Sequence, residues 1–332
     1  MNVNEPEPIK EYYIVYFDIM GYKAFLAENA EKESVLLKTI HSIIAKTENT
    51  IRDVNNSEVL SLIGDLHIQT KVFSDNVLLC VEAHEESAQE QLRIIAFMGL
   101  IAEIQRKIVI EYGVFLRGGF TKGRMSISDE YVFGEGLVEA VKMEETTCYP
   151  RIAVSQRIVS ALENMKKTDL RDGANINPQK LVEYFAGELI YTCDDGAKAL
   201  SYLYCFDIRS FVPEPILLQM IDIIKDEYPN DYKLFPKSFP DIEAYLASHK
   251  RIVEQKLVLY SNYTSFKVSQ VEKFEEQEHI LKKYVWAMVY HNYMCDKYNK
   301  NECFINTQGN CERRHMKLVI HVLGQNGELI NR

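Results

Sequence analysis

The segment YYIVYFDIMGYKAF, residues 12–25, combines a strongly apolar run with a single carboxylate. Its first six residues are aromatic or β-branched, which predicts a central β-strand covered on both faces. That strand ends in a single carboxylate, Asp18. Burying an aspartate is costly unless a partner neutralises it. Asp18 is therefore either a local turn or cap residue or a ligand for a cation.

The composition is that of a globular protein with a sizeable core. The chain has 332 residues, of which 47% are hydrophobic and 26% charged, enough for one large domain or two modest ones. Its formal net charge of -10 argues against broad binding to nucleic acid or to anionic membranes, although a small basic pocket is compatible with it. The seven cysteines are scattered without CxxC spacing, which indicates reduced thiols. We see no signal peptide and no spanning segment, and expect a cytoplasmic protein that contacts neither nucleic acid nor membrane.

Hydrophobic periodicity predicts alternating strands and helices over the first half of the chain. The link around 74–76 is typical of a hairpin, and the polar stretch 122–130 predicts a loop. This order points to an α+β sandwich of the ferredoxin-like kind. The predicted strands are 12–17, 66–73, 76–82, 113–121, 131–133 and 151–155, and the predicted helices are 32–51, 86–110, 135–145 and 156–165.

The second half of the chain has a different pattern. The polar stretch 166–183 predicts a linker, 184–207 predicts a short pair of strands, and 240–300 carries long amphipathic helical runs. The expected domains are 1–207, with a core at 12–160, and a mostly helical C-terminal extension at 208–332.

A second carboxylate, Asp75, lies in the predicted hairpin link. In a sheet that places the first strand beside this hairpin, Asp18 and Asp75 reach the same place. Two carboxylates at an open site suit Mg²⁺, which leaves its other positions to phosphates and water. Two such ions activate an attacking hydroxyl and stabilise a leaving group. Each aspartate taken alone is better explained as a strand end or a turn.

Five segments in order make the pattern specific: FDIMGYKAF, KVFSDNVLL, LRGGFTKG, YVFGEGLVEA and RIAVS. Together they resemble the catalytic domain of the class III nucleotidyl cyclases over residues 12–160. The resemblance implies a ferredoxin-like domain that converts a nucleoside triphosphate into a cyclic nucleotide and pyrophosphate. It also implies a homodimer, because the site in that family lies between two catalytic domains.

The resemblance assigns roles to individual residues. Asp18, Asp75 and the backbone of Ile19 would hold two Mg²⁺ or Mn²⁺ ions, and Lys142 would serve catalysis in place of the family's helix arginine. Arg117 matches the family's strand arginine, for which a phosphate contact and an ion pair at a strand edge are about equally good explanations. The residues expected to contact the nucleotide are Ile19, Met20, Gly21, Lys71, Arg117 and Tyr131.

The chain departs from the family pattern at the transition-state asparagine, where it has Val138. A valine offers no hydrogen bond, and the neighbouring Glu139 is no substitute for an amide donor near phosphate. Three explanations stay open: another residue supplies the contact, the alignment slips, or catalysis is weak. The candidates to supply it are Lys122, Arg124 and Arg151.

Departures in the base pocket favour a subgroup, the Pycsar pyrimidine cyclases of bacterial antiphage defence. The two base-selecting positions hold Lys71 and Tyr131, and a large ring at Tyr131 favours a small base. The altered asparagine, the helical extension and the segment IYTCDDGAKALSYLYCF at 190–206 point the same way. This resemblance implies cyclic CMP or cyclic UMP made from CTP or UTP, and a separate effector that the product activates. A lysine donor slightly favours CTP, because cytosine presents adjacent acceptors.

Three other interpretations remain. An adenylate cyclase is favoured by Lys71, and base selectivity separates it from a pyrimidine cyclase. A catalytically inactive dimer that binds a nucleotide is favoured by Val138 and disfavoured by the presence of both Asp18 and Asp75. The last is an unrelated α+β domain whose motif matches are accidental.

Overall fold

The computed structural model describes residues 7–56, 66–85, 87–163, 178–205, 242–263 and 271–305. The chain divides into two compact units: the first is Met1–Thr147 with Arg151–Ile242, and the second is Cys148–Pro150 with Glu243–Arg332. The predicted domain boundary at 207–208 lies outside the described residues and stays a prediction. Within the described ranges, every helix is too short or too polar to cross a membrane.

The described strands and helices are numbered in chain order. The strands are β1 (Lys10–Met20), β2 (Gln69–Phe73), β3 (Asn76–Glu82), β4 (Phe115–Ile127), β5 (Val132–Phe133), β6 (Ile152–Val154), β7 (Ile190–Thr192) and β8 (Lys198–Leu200). The helices are α1 (Tyr22–Asn29), α2 (Glu33–Asn56), α3 (Ala88–Tyr112), α4 (Glu135–Thr146), α5 (Gln156–Glu163), α6 (Pro178–Leu189), α7 (Ile242–Tyr263) and α8 (Val271–Lys297).

The first unit is built on one sheet with the strand order β2-β3-β1-β4-β6-β8-β7, and β5 pairs with β4 at its end. β1 lies between β3 and β4 and is antiparallel to both, while β2 and β3 form an antiparallel hairpin. A βαββαβ chain order with these pairings is the ferredoxin-like arrangement, so the predicted α+β fold is confirmed. β6 runs parallel to β4, with α4 in the connection.

The sequence of β1 explains its central position. Tyr13, Ile14, Val15 and Phe17 are all buried, which requires protein on both faces of the strand. On one face, the Phe120 ring of β4 meets a phenylalanine of α3 edge to face, with the ring centroids 5.7 Å apart. On the other face, a cluster packs against α4; it comprises Tyr12, Ile14, Leu78, Cys80, Met125, Ile127 and Ala140.

Gly119 lets α4 lie close to β4. A Cβ at this position would lie 2.4 Å from the Met143 Cβ and 2.6 Å from the Ala140 carbonyl oxygen. No side chain fits there without moving the helix. The glycine pair therefore allows two close approaches: α4 lies against Gly119, and the β1 backbone lies against Gly118.

Two sequence predictions are wrong in detail. Residues 122–130 were expected to form a loop, but β4 continues to Ile127. Its side chains alternate there, with Gly123 and Met125 buried and Arg124 exposed, as in a strand with one covered face. The predicted linker 166–183 overlaps helix α6, which begins at Pro178, a residue suited to a first helical turn.

The second unit contains α7 and α8, which confirm the helices predicted within 240–300. Its packing is aromatic: the Trp286 ring stacks on Tyr149 at 6.0 Å and on Tyr290 at 5.6 Å. Beside them, His249 of α7 stacks on His291 of α8 with the ring centroids 5.2 Å apart, and both imidazoles are fully buried.

Candidate metal and nucleotide site

Asp18 and Asp75 lie beside each other at one end of the sheet. Asp18 is near the end of β1, and its cross-strand partners are Asn76 in β3 and Arg117 in β4. Asp75 directly precedes Asn76, in the turn of the β2–β3 hairpin. The turn begins at Ser74, whose φ of 60° is left-handed. Strand register thus brings together two aspartates that are far apart in sequence.

Arg117 holds Asp18 by two hydrogen bonds. Its Nε donates to Oδ1 at 3.2 Å and its Nη2 donates to Oδ2 at 2.8 Å. The same Nη2 contacts a carboxylate oxygen of Glu144 on α4. The ion pair that was one of the two explanations for Arg117 is present, and the phosphate contact stays a prediction. The ion pair is a fork-to-carboxylate pair, the strongest geometry of its kind.

Asp18, Asp75 and Glu144 are neighbouring carboxylates, which we call the carboxylate cluster. Burial raises the pKa of Glu144, the negative charge of Asp18 raises it further, and Arg117 opposes both effects. Burial, followed by the negative charges of Glu144, Asp18 and Asp75, raises the pKa of Tyr16. Burial is the main cause of both shifts, and the neighbouring carboxylates add to them, so an added cation would be stabilised here.

The chemistry of the donors fits a hard divalent cation. Carboxylate oxygens and a backbone carbonyl are the ligands that Mg²⁺ takes, and Asp18, Asp75 and Ile19 supply both kinds. Within the described ranges, no group of three or more His, Cys, Asp or Glu side chains is arranged to hold a metal. An ion here would take few ligands from the protein, as Mg²⁺ does when phosphates complete its shell. It would also share Asp18 with the guanidinium of Arg117.

The backbone after Asp18 turns sharply into α1. The N–H of Ile19 donates to the Asp75 carbonyl oxygen at 3.1 Å, and Gly21 has a φ of +74°. A Cβ on Gly21 would meet nothing within 4 Å, so the left-handed conformation, and not crowding, favours glycine. Met20 ends β1 between them. Only Gly21 separates the end of β1 from the start of α1, at the place where Ile19, Met20 and Gly21 were expected to approach a triphosphate.

The two residues expected to select the base lie near one loop. The Nζ of Lys71 in β2 is 3.6 Å from a carboxylate oxygen of Asp129, in the loop that joins β4 to β5. Tyr131 closes the same loop, and its hydroxyl oxygen accepts a hydrogen bond from the backbone N–H of Glu7 at 2.7 Å. Asp129 was missed at the sequence level. In the sequence, the only feature that points to Asp129 is its acidic side chain two positions before Tyr131.

The outer face of α4 carries Val138 and Lys142, which are both exposed. Glu144, two residues further on, is buried and contacts Arg117. Residues two apart on a helix do not share a face. Lys142 therefore projects away from the carboxylate cluster of its own chain, and its role toward a partner's nucleotide stays a prediction.

Two of the three candidates to replace the missing asparagine are engaged elsewhere. Arg151 donates two hydrogen bonds, at 2.9 and 2.6 Å, to Asp195 of the CDDG segment, which forms the turn between β7 and β8. Lys122 pairs with Glu11 at 3.2 Å. Arg124 is exposed on β4.

Comparison with known proteins gives a distant likeness. One solved structure that the chain resembles is that of a class III adenylyl cyclase-like ATP-binding protein from Pseudomonas aeruginosa. The sequence identity is 14% and the TM-score is 0.29. The likeness covers 50% of this chain and 38% of that one. No protein-family model and no curated protein matches the chain.

Proposed function

We propose that this chain is a metal-dependent nucleotidyl cyclase that converts a nucleoside triphosphate into a 3′,5′-cyclic nucleotide and pyrophosphate. The observation that carries the proposal is the placement of Asp18 beside Asp75, where β1 ends against the β2–β3 turn. The ordered motifs and the βαββαβ sheet support it. A turn residue alone would explain Asp75, but it would not explain a second carboxylate next to it on the central strand.

Each residue of the site has a role in this proposal. Asp18, Asp75 and the carbonyl of Ile19 would hold two Mg²⁺ or Mn²⁺ ions, which, when bound, activate the ribose 3′-hydroxyl and neutralise the departing pyrophosphate. Amides at the start of α1, after Gly21, bind phosphate oxygens. Lys142 offers a positive charge to the nucleotide held by a partner. The protein contributes mainly positioning and charge stabilisation.

The proposed substrate is a pyrimidine triphosphate, CTP or UTP. Lys71 donates to acceptors on the base, and the ring of Tyr131 limits the size of the pocket. The pairing of Lys71 with Asp129 supports a defined orientation of the lysine beside this loop. The product, cyclic CMP or cyclic UMP, would activate a separate effector in antiphage defence. A homodimer is part of the proposal, because the site of the class III cyclases, which the sequence resembles, lies between two catalytic domains.

A second candidate function is a catalytically inactive dimer that binds a nucleotide. Two observations favour it. Both oxygens of Asp18 accept hydrogen bonds from Arg117, and an exposed valine, Val138, stands where the family has an asparagine. Turnover separates the two candidates.

The test is product identification. The purified full chain is incubated with Mn²⁺ or Mg²⁺ and with ATP, GTP, CTP or UTP in separate reactions, and products are identified by mass. The proposal predicts a cyclic pyrimidine nucleotide that disappears in Asp18→Asn and in Asp75→Asn. Formation of cyclic AMP would support the cyclase activity and contradict the proposed pyrimidine substrate. Nucleotide binding without a cyclic product, with the variants folded like the wild type, would favour the inactive dimer.

A further inference from the structure

We propose that Arg117 is an exchangeable counter-ion for Asp18. Its guanidinium neutralises the Asp18 carboxylate in the metal-free chain and moves fully onto Glu144 when a divalent cation binds. The inference rests on the proposed function, because it concerns the metal site of that function. It makes Arg117 a positioning residue that sets the affinity of the site for metal.

Arg117 and a bound metal ion would compete for the same oxygens of Asp18. Arg117 donates to both Oδ1 and Oδ2 of Asp18, at 3.2 and 2.8 Å. A divalent ion bound to this carboxylate would lie within a few ångströms of the guanidinium. Two positive charges at that separation repel each other. Metal binding at Asp18 is therefore opposed by Arg117 for as long as the guanidinium stays in place.

Glu144 gives the guanidinium of Arg117 another acceptor within reach. The Nη2 of Arg117 already contacts the carboxylate of Glu144, which is buried on the inner face of α4. An arginine side chain keeps its charge in a protein and needs a partner when it is partly buried. Because Glu144 is in contact beforehand, the guanidinium can leave Asp18 without losing every charged partner.

The backbone around Arg117, Asp18 and Glu144 is held in place by the sheet and by the packing of α4. Arg117 and Asp18 are cross-strand partners on two neighbouring central strands, β4 and β1, and Gly119 lets α4 pack closely against β4. The backbone positions of all three charged residues are fixed by strand pairing and helix packing. The exchange consequently needs only a side-chain movement of Arg117, which swings between two carboxylates on fixed supports.

The experiment measures the binding of Mn²⁺ alone, by isothermal titration, to the full chain. The variant is Arg117→Gln, and the matched control is Arg124→Gln, which removes the same charge further along β4. We expect Arg117→Gln to bind Mn²⁺ about tenfold more tightly than the wild type, because a positive charge that repels the ion has been removed. Arg124→Gln should bind like the wild type. In EDTA, Arg117→Gln should unfold at a lower temperature than the wild type, and Mn²⁺ should restore more of its stability.

Arg117→Lys keeps the charge but lacks the two-pronged fork of a guanidinium. Its affinity for Mn²⁺ should therefore lie between that of the wild type and that of Arg117→Gln. This variant also decides the question if Arg117→Gln does not fold. Affinity in both Arg117 variants equal to or weaker than that of the wild type would overturn the exchange and leave the proposed metal site standing. Absence of Mn²⁺ binding to the wild type and to every variant would overturn both.

Discussion

The backbone N–H of Ile19 donates a hydrogen bond to the carbonyl oxygen of Asp75, at 3.1 Å. This bond continues the contact between β1 and the hairpin just beyond the last strand pair, which is Asp18 with Asn76. The relative position of Asp18 and Asp75 is therefore fixed by the backbone. Replacing either carboxylate by an amide leaves these backbone bonds in place, which makes such variants suitable probes of function.

The absence of a side chain at Gly119 allows α4 to pack closely on β4. In Gly119→Ala the new methyl group would overlap Met143 and the Ala140 carbonyl oxygen, so we expect a loss of about 1–3 kcal/mol in the free energy of unfolding. The matched control is Gly99→Ala, in helix α3, where a Cβ meets nothing within 4 Å and alanine should stabilise by up to about 1 kcal/mol. Urea titration of both variants measures the difference. Equal effects of the two substitutions would show that α4 is not held by this contact.

The ring of Tyr131 is expected to limit the size of the base. Tyr131→Ala should raise the use of purine relative to pyrimidine triphosphates by about tenfold or more, because it opens the pocket. Tyr131→Phe keeps the ring and removes only the hydroxyl that accepts from Glu7. It should retain the base preference of the wild type. Relative rates with ATP and CTP in competition give the ratio, and a preference that shifts equally in both variants would assign the effect to the hydroxyl contact.

The stacked histidines make the second unit sensitive to acid. Burial lowers the pKa of His249 well below its ordinary 6.5, with the neighbouring His291 adding to the shift. Burial also lowers the pKa of His291; nearby Lys250 adds to this, and the hydrogen bond to the Cys303 carbonyl opposes it. Lowered folded pKa values mean that the unfolded chain binds more protons below pH 6.5. Stability should therefore fall as the pH drops from that value, by at most about 1.4 kcal/mol per pH unit for each histidine.

The chain has one tryptophan, Trp286, and it lies in this unit next to Tyr290, so its fluorescence reports on the unit directly. Thermal unfolding is followed at about pH 7.5 and about pH 5.5, on either side of the unperturbed histidine pKa. We expect a lower midpoint at the acidic pH and a smaller difference in His249→Leu. The exposed His41→Gln serves as the control and should behave like the wild type. If the midpoint of thermal unfolding changes with pH as much in His249→Leu as in the wild type, the assignment of the acid sensitivity to these histidines is contradicted.

Sequence reasoning succeeded where the signal is local. The aromatic and β-branched run of β1 and the Ser74-Asp75 turn are features of short segments, and they determine where Asp18 and Asp75 lie. In β4 the local signal was present and was misinterpreted. Polar Lys122 and Arg124 alternate with buried residues, which is the pattern of a strand with one covered face.

The contacts that sequence reasoning missed all join distant segments. Glu144 reaches Arg117 because Gly119 lets α4 pack closely, and no period or motif announces that pairing. Asp129 meets Lys71 through the geometry of a loop. His291 contacts His249, which lies in another helix. Such partners follow only from the assembled fold.

The most direct test of the account is whether Asp18 and Asp75 together hold a divalent cation. Mn²⁺ binding is measured for the wild type, for Asp75→Asn and for Asp129→Asn. The last variant is the control, because Asp129 is an exposed aspartate of the same unit. The account predicts that Asp75→Asn weakens Mn²⁺ binding by at least about tenfold, because an amide replaces a charged ligand, while Asp129→Asn leaves it unchanged. Mn²⁺ affinity in Asp75→Asn equal to that of the wild type would contradict the account.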